Sequence, residues 1–97
     1  MPWHRVVIEN NSMAPWSAIG LMKLFILKYK ELGSPTDAVV YRGVSAVGEH
    51  VYYFSPQAFI IAIAEKVFQT FDVTQCSAKP DLYGFKEIAI RDRVIPT

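Results

Sequence analysis

Few residues of this 97-residue chain could do acid–base chemistry: two histidines, His4 and His50, and one cysteine, Cys76. His50 directly follows Glu49 and lies two residues before Tyr52. A histidine beside a carboxylate and a phenol can titrate near neutral pH and transfer protons. One hypothesis is therefore a small enzyme with a cavity between helices and sheet. In it, His50 or His4 is the acid or base and Tyr52 orients the substrate.

Thiol and metal chemistry are less well supported by the spacing of these residues. Cys76 lies in VTQCSAK, a strand-like stretch, and not at a helix N-terminus that would lower its pKa. A buried, unreactive thiol is the simpler interpretation. The histidines, the cysteine and the carboxylates show none of the CxxC, HxH or HExxH spacings of metal sites. The sequence therefore predicts neither a metal site nor a cofactor.

The glycine-rich stretch VYRGVSAVGEHVYYFSP, residues 40–56, raises the question of phosphate binding. Gly43 and Gly48 are separated by four residues, as in a P-loop. A P-loop then requires Lys and Ser or Thr, but Glu49 and His50 stand there, and a carboxylate repels phosphate. The glycines instead favour a β-hairpin with a five-residue connection.

Two short stretches have the pattern of a nucleic-acid-binding sheet. VVIENN, residues 6–11, and HVYYFSPQA, residues 50–58, resemble the two signatures of RNA-recognition motifs. The resemblance implies a sheet on which aromatic rings stack bases. It departs from the family at Val7, where a stacking aromatic is expected, and at His50-Val51, where a basic residue and glycine are expected. Because the net charge is only +1, weak nucleic-acid binding is the third hypothesis.

The composition indicates a folded protein with surplus apolar surface. Hydrophobic residues make up 52% and aromatic residues 13% of the chain, which excludes intrinsic disorder. One small core cannot hide so much apolar surface, so we expect a homo-oligomer, a partner protein or a small apolar ligand to cover it. A single cysteine fits a reducing compartment. No apolar run has the length of a signal peptide or a membrane span, so we expect a cytoplasmic protein.

Hydrophobic periodicity and turn residues predict the element order β-α-β-β-α-β with an extra C-terminal strand. This order matches the split βαβ, ferredoxin-like arrangement in one α+β domain over residues 1–97: an antiparallel sheet with both helices on one face. Gly33 should end the first helix, and Ser55-Pro56 should begin the second. The expected strands are 4–9, 37–44, 50–54, 73–77 and 85–91, and the expected helices are 12–32 and 56–71.

Each predicted helix has an apolar face that we assign to the core. Phe59 falls outside the assigned face of the second helix, among its polar residues. The assigned core residues are Ala18, Leu21, Met22, Phe25, Ile26, Tyr29 and Leu32 in the first helix and Ile60, Ala64, Val67, Phe68 and Phe71 in the second.

Two apolar surfaces remain after this assignment and lead to the principal hypothesis. Trp16, Leu24 and Leu27 fall on the polar side of the first helix. Burying each is worth about 1.5–3 kcal/mol, against an association cost on the order of 4–15 kcal/mol, so this patch alone supports a weak dimer. The alternative is that Val94 and Ile95 of the C-terminal segment cover it.

The second surface is the sheet face that the helices leave bare. It would offer aromatic residues of the hairpin, which are favoured at interfaces. We therefore expect a homodimer formed through this face, the helix patch or both, and a role in binding proteins or small ligands. The hairpin residues assigned to this interface are Tyr41, Tyr52, Tyr53 and Phe54.

Overall fold

The computed structural model describes residues 2–8, 14–64 and 72–87. No helix within these ranges is both long enough and apolar enough to cross a membrane. The elements are β1 (His4–Ile8), α1 (Ala14–Glu31), β2 (Val40–Val44), β3 (His50–Phe54), α2 (Pro56–Ala64), β4 (Asp72–Gln75) and β5 (Lys86–Glu87).

The strands form one open sheet in the order β4-β1-β3-β2-β5, and every neighbouring pair is antiparallel. The predicted α+β class is therefore confirmed, with a five-stranded antiparallel sheet and two helices. The ferredoxin-like arrangement is not confirmed in detail. The sheet has a fifth strand, β5, beside β2, so its strand order differs from that of the four-stranded ferredoxin-like sheet.

The core lies between one face of the sheet and the two helices. Strand register places Val6 opposite Tyr52 and Val40 opposite Phe54, so that their side chains share this face. Phe25 of α1 meets Phe54 edge-on, with ring centroids 5.7 Å apart. The buried hydrophobic cluster consists of Val6, Phe25, Tyr29, Ala38, Val40, Tyr52, Phe54, Ala58, Ile61 and Ala62.

Local turn chemistry fixes the helix boundaries as the sequence predicts. At the end of α1, the Ser34 N–H donates to the Tyr29 carbonyl at 3.0 Å, and Gly33 has a φ of 87° that favours glycine. At the start of α2, the Ser55 hydroxyl accepts a hydrogen bond from the Ala58 N–H at 3.2 Å. Pro56 is the first helical residue, where its missing N–H costs nothing.

The core face of α2 differs from the predicted one. Ala58, Ile61 and Ala62 are buried, whereas Ile60 is 44% exposed and Ala64 is also exposed. The described part of α2 is apolar on all sides, so its sequence pattern does not select a face. Two alanines four residues apart let the helix approach the sheet closely, and this packing decides its orientation.

Two further assignments of the core were wrong. Leu32 is 54% exposed because it follows the last residue of α1 and belongs to the closing turn. Phe59, expected among polar residues, instead packs against the core. The remaining assigned core residues of the second helix, Val67, Phe68 and Phe71, and the C-terminal Val94 and Ile95 lie outside the described residues.

The second face of the sheet is partly covered, contrary to the expectation that it is bare. The chain leaves the sheet at β4 and re-enters it at β5 on the opposite edge, so residues 76–85 must cross. The Cys76 N–H donates to the Trp3 carbonyl at 2.9 Å, and Lys79 Nζ lies 5.8 Å from the Trp3 ring centroid. Phe85 then packs on Tyr53, with ring centroids 5.2 Å apart. These contacts of the crossing segment cover part of the second face, on which Tyr41 and Tyr53 are half-buried.

Candidate functional site

His4 begins β1 and is buried beneath α2. The residue is 8% exposed. Its ring lies parallel to that of Phe59, with centroids 3.4 Å apart and an interplanar angle of 3°. On the sheet, His4 is paired with Phe54 on one side and Gln75 on the other. The imidazole thus lies between the sheet and the Phe59 ring of α2.

The surroundings of His4 favour its neutral form. Its Nδ1 atom is buried and has no hydrogen-bond partner in the part of the chain that the structure describes. Burial lowers the pKa of His4 because it penalises the charged ring, and a weaker interaction with the Pro2 backbone raises that pKa in part. His4 is therefore neutral at pH 7.

The second histidine does not join the first. His50 pairs with Ile8 at one end of β1, whereas His4 stands at the other end. Four residue steps along a strand separate these positions by about 13 Å. Strand pairing therefore keeps the two histidines from acting on the same bond.

Tyr52 and Glu49 are likewise engaged elsewhere. Tyr52 is 4% exposed and belongs to the core. Burial raises the pKa of its hydroxyl, while the charge of Arg42 and a hydrogen bond with it act in the opposite direction. The backbone N–H of Glu49 donates to the Ser45 hydroxyl at 3.1 Å within the hairpin turn. Glu49 thus helps to hold the turn, and the phenol of Tyr52 stays protonated at neutral pH.

Cys76 follows β4 and is partly buried on the side of the sheet away from His4. Burial raises the pKa of its thiol, and the nearby charge of Arg5 lowers it in part. A raised pKa disfavours the thiolate, which is the nucleophilic form. Among the described residues, no three His, Cys, Asp or Glu side chains come together in a way that could hold a metal ion.

The hairpin aromatics are divided between the two faces of the sheet. Tyr52 and Phe54 point into the core, so the expectation that they form an open binding face needs correction for these two residues. Tyr41 and Tyr53 lie on the second face and are half-buried. Trp3 approaches Tyr41 with ring centroids 6.3 Å apart, and Phe85 covers Tyr53.

The outer side of the helices carries the exposed apolar residues. Leu24 and Leu27 of α1 are 45% and 65% exposed, on the side where the sequence places them. Trp16 lies in the first turn of α1, and its side chain is outside the described residues. Sequence reasoning missed Ile60 and Ile63 of α2, which are 44% and 51% exposed.

A signal for the missed residues is present in the sequence. Ala58 and Ala62, four residues apart, mark a side of α2 that can approach another element closely, and Ile60 and Ile63 lie on the other side. We call the set of Leu24, Leu27, Ile60 and Ile63 the outer helix surface.

Comparisons with known proteins give no match: no family model, curated protein or solved structure is significantly similar to this chain.

Proposed function

We propose that this protein is a small association module that forms a homodimer through its outer helix surface. The observation that carries the proposal is the exposure of Leu24, Leu27, Ile60 and Ile63 on the two helices that cover the sheet. The aromatic face that first suggested a dimer is partly covered by the chain's own Lys79 and Phe85. The helix layer is therefore the better candidate for contact with a second copy.

The positions of these residues on their helices support a common outward direction. Leu27 follows the buried Phe25 by two residues, which places it about 160° around the helix. Ile60 stands in the same relation to the buried Ala58 of α2. Because α1 and α2 pack against each other and share one face of the sheet, their outward sides belong to the same layer.

Approximate energies favour a dimer of modest affinity. The four side chains are about half exposed, so burying the remainder is worth roughly 3–6 kcal/mol per subunit. A two-fold interface uses the same residues twice, which gives roughly 6–12 kcal/mol against an association cost on the order of 4–15 kcal/mol. The net free energy of association is therefore at most about 8 kcal/mol, which limits the dissociation constant to micromolar at the tightest.

Two finer proposals accompany the dimer. We infer that the domain is a ferredoxin-like variant in which β5 is added beside β2, because the predicted element order is present and the neighbouring strands are antiparallel. We place the protein in a reducing compartment such as the cytoplasm. The support is its single cysteine, Cys76, which has no partner for an internal disulfide.

The geometry gives less support to the rival functions. The observation that favours catalysis is the unpartnered Nδ1 of His4, but its ring is stacked on Phe59 and lies far from His50. Nucleic-acid binding would need an open aromatic platform, whereas Tyr53 is covered by Phe85 and Tyr41 is half-buried. A partner protein or small apolar ligand on the outer helix surface is the closest competitor of the homodimer.

The test compares two lysine substitutions at exposed apolar positions. Leu27→Lys introduces a charge on the outer helix surface, close in sequence to Lys23, Lys28 and Lys30. Val47→Lys is the matched control, because Val47 is 78% exposed in the hairpin turn, away from the helices. We expect Leu27→Lys to raise the dimer dissociation constant at least about ten-fold, measured by analytical ultracentrifugation, and Val47→Lys to leave it unchanged. Equal constants for both variants would refute the proposed interface.

A further inference from the structure

The contact between His4 and Phe59 connects the sheet to the helix that carries half of the outer helix surface. Phe59 immediately precedes Ile60 in α2. Its ring lies flat on the imidazole, 3.4 Å away between centroids. The position of this part of α2 therefore depends on what lies beneath Phe59.

Protonation would change the hydrogen-bonding needs of the His4 ring. In a neutral ring with its proton on Nε2, the buried Nδ1 presents only a lone pair. Protonation turns Nδ1 into a second donor, and this atom has no hydrogen-bond partner in the described ranges. A buried charge with an unpaired donor is much less stable than the same group in water.

The groups around His4 compensate only in part for such a charge: the Pro2 backbone favours it, and burial outweighs that interaction. The residues that face it from the neighbouring described elements are Phe54 on β3, Gln75 on β4 and Phe59 on α2, and none is ionisable. On the same face of β1 the next residue is Val6, and the ionisable side chain that α1 contributes to the core is Tyr29, whose phenol is neutral in acid.

On the face of the sheet that carries His4, Arg42 of β2 pairs with Tyr52 and is positive. The charged residue next to His4 in the sequence belongs to the second face. Arg5 follows His4 and alternates to that side, and it is itself positive. The stacked Phe59 could attract an imidazolium by about 0.5–2 kcal/mol. Burial lowers the pKa of His4 by more than the interaction with the Pro2 backbone raises it.

We propose that His4 is a proton-sensitive element of the dimer: its protonation expels the ring from beneath Phe59, loosens α2 and weakens the outer helix surface. This inference rests on the proposed homodimer and adds its regulation. Acidification from neutral pH then releases monomers. No covalent step is involved, since a single proton moves from solvent to Nδ1.

The chain offers a matched pair of variants for the test. His4→Phe keeps a flat ring for Phe59 but cannot be protonated. His50→Gln removes the other of the two histidines and leaves the His4 contact in place. The dimer dissociation constant is measured by analytical ultracentrifugation from about pH 8 to about pH 5.5, which brackets the usual histidine pKa.

We expect the unmodified protein and His50→Gln to lose affinity toward the acid end. At pH 5.5 an expelled ring of ordinary pKa contributes up to about ten-fold per subunit, and the two subunits together raise the dissociation constant up to about a hundred-fold. We expect His4→Phe to show no such dependence. The inference is overturned if His4→Phe follows the same pH profile as the unmodified protein, or if His50→Gln alone removes the dependence.

A second measurement keeps the inference testable without a dimer or a folded His4→Phe variant. In the unmodified protein, NMR follows the His4 ring and the amide hydrogen exchange of α2 over the same pH range. We expect exchange at Phe59 and Ile60 to accelerate as the ring protonates. A monomer at pH 8 would refute the proposed dimer but not the proton sensitivity of His4. Protonation of His4 without faster amide exchange in α2 would refute that proton sensitivity.

Discussion

The ring of Phe85 lies on the backbone of Gly43. A Cβ atom built at Gly43 would stand 2.7 Å from Cδ2 of that ring, closer than real Cβ atoms come to other atoms. The glycine in the middle of β2 thus makes room for the end of the crossing segment. This contact helps to explain why the second face of the sheet is partly covered although the hairpin pattern alone suggests that it is open.

Gly43→Ala should destabilise the fold by forcing Phe85 off the strand. We expect the free energy of unfolding to fall by about 1–3 kcal/mol, as for other overpacked sites, measured by urea denaturation. The control is the same substitution in a Phe85→Ala background, where the ring is absent. If Gly43→Ala lowers the free energy of unfolding equally in both backgrounds, the two residues are not coupled. That result would contradict the contact between Gly43 and Phe85.

Ser55→Ala should destabilise the junction of β2, β3 and α2. The Ser55 hydroxyl donates to the Asp37 carbonyl at 2.8 Å and accepts from the N–H groups of Val39 and Ala58. Losing a buried group that satisfies three backbone atoms should cost about 1–3 kcal/mol. Ser45→Ala is the matched control and should cost less, because the half-buried Ser45 hydroxyl accepts from one backbone N–H, that of Glu49. Comparable losses in thermal denaturation would contradict the role of Ser55.

Acid should destabilise the folded chain through His4. The folded-state pKa of His4 lies below its unfolded value because burial penalises the charged ring. Between the two values the unfolded chain binds more protons, so the free energy of unfolding falls as the pH falls. This contribution is fully present above about pH 6.5 and is lost below it.

The measurement is urea denaturation of the unmodified protein and of His4→Phe across this pH range. As the pH falls, the unfolding free energy of the unmodified protein should decrease relative to that of His4→Phe. A constant difference would show that His4 titrates alike in the folded and unfolded states.

Cys76 should react slowly with alkylating reagents. Burial raises the pKa of its thiol, with Arg5 lowering it in part, so little thiolate is present at neutral pH. We expect iodoacetamide to modify the folded protein at least about ten-fold more slowly than the urea-unfolded protein at the same pH. Equal rates would indicate an exposed, unperturbed thiol.

Features that depend on neighbouring residues could be predicted from the sequence. The stop of α1 at Gly33 and the start of α2 at Ser55-Pro56 follow from φ preferences and the geometry of hydrogen bonding at helix ends. The hairpin between β2 and β3 follows in the same way, since the backbone N–H of Gly48 donates to the Ser45 carbonyl at 3.0 Å. The helix ends and the hairpin, together with hydrophobic periodicity, also predict the order of helices and strands.

Features that depend on distant residues could not be predicted. The His4–Phe59 stack joins the start of β1 to α2, and the Phe85–Gly43 contact joins the end of the crossing segment to β2. A single sequence carries no periodicity that identifies such pairs. The orientation of α2 also depends on tertiary packing, because the helix carries its own apolar residues on all sides and their pattern selects no face.

The solution mass of the unmodified protein tests the central claim most directly. Light scattering on a sizing column, at about pH 8 and between about 1 and 100 μM, covers the range in which an interface of this size should assemble. The proposed association through the outer helix surface predicts that the mass rises with concentration from that of the 11.0 kDa monomer toward twice that value. A monomeric mass at every concentration would contradict it.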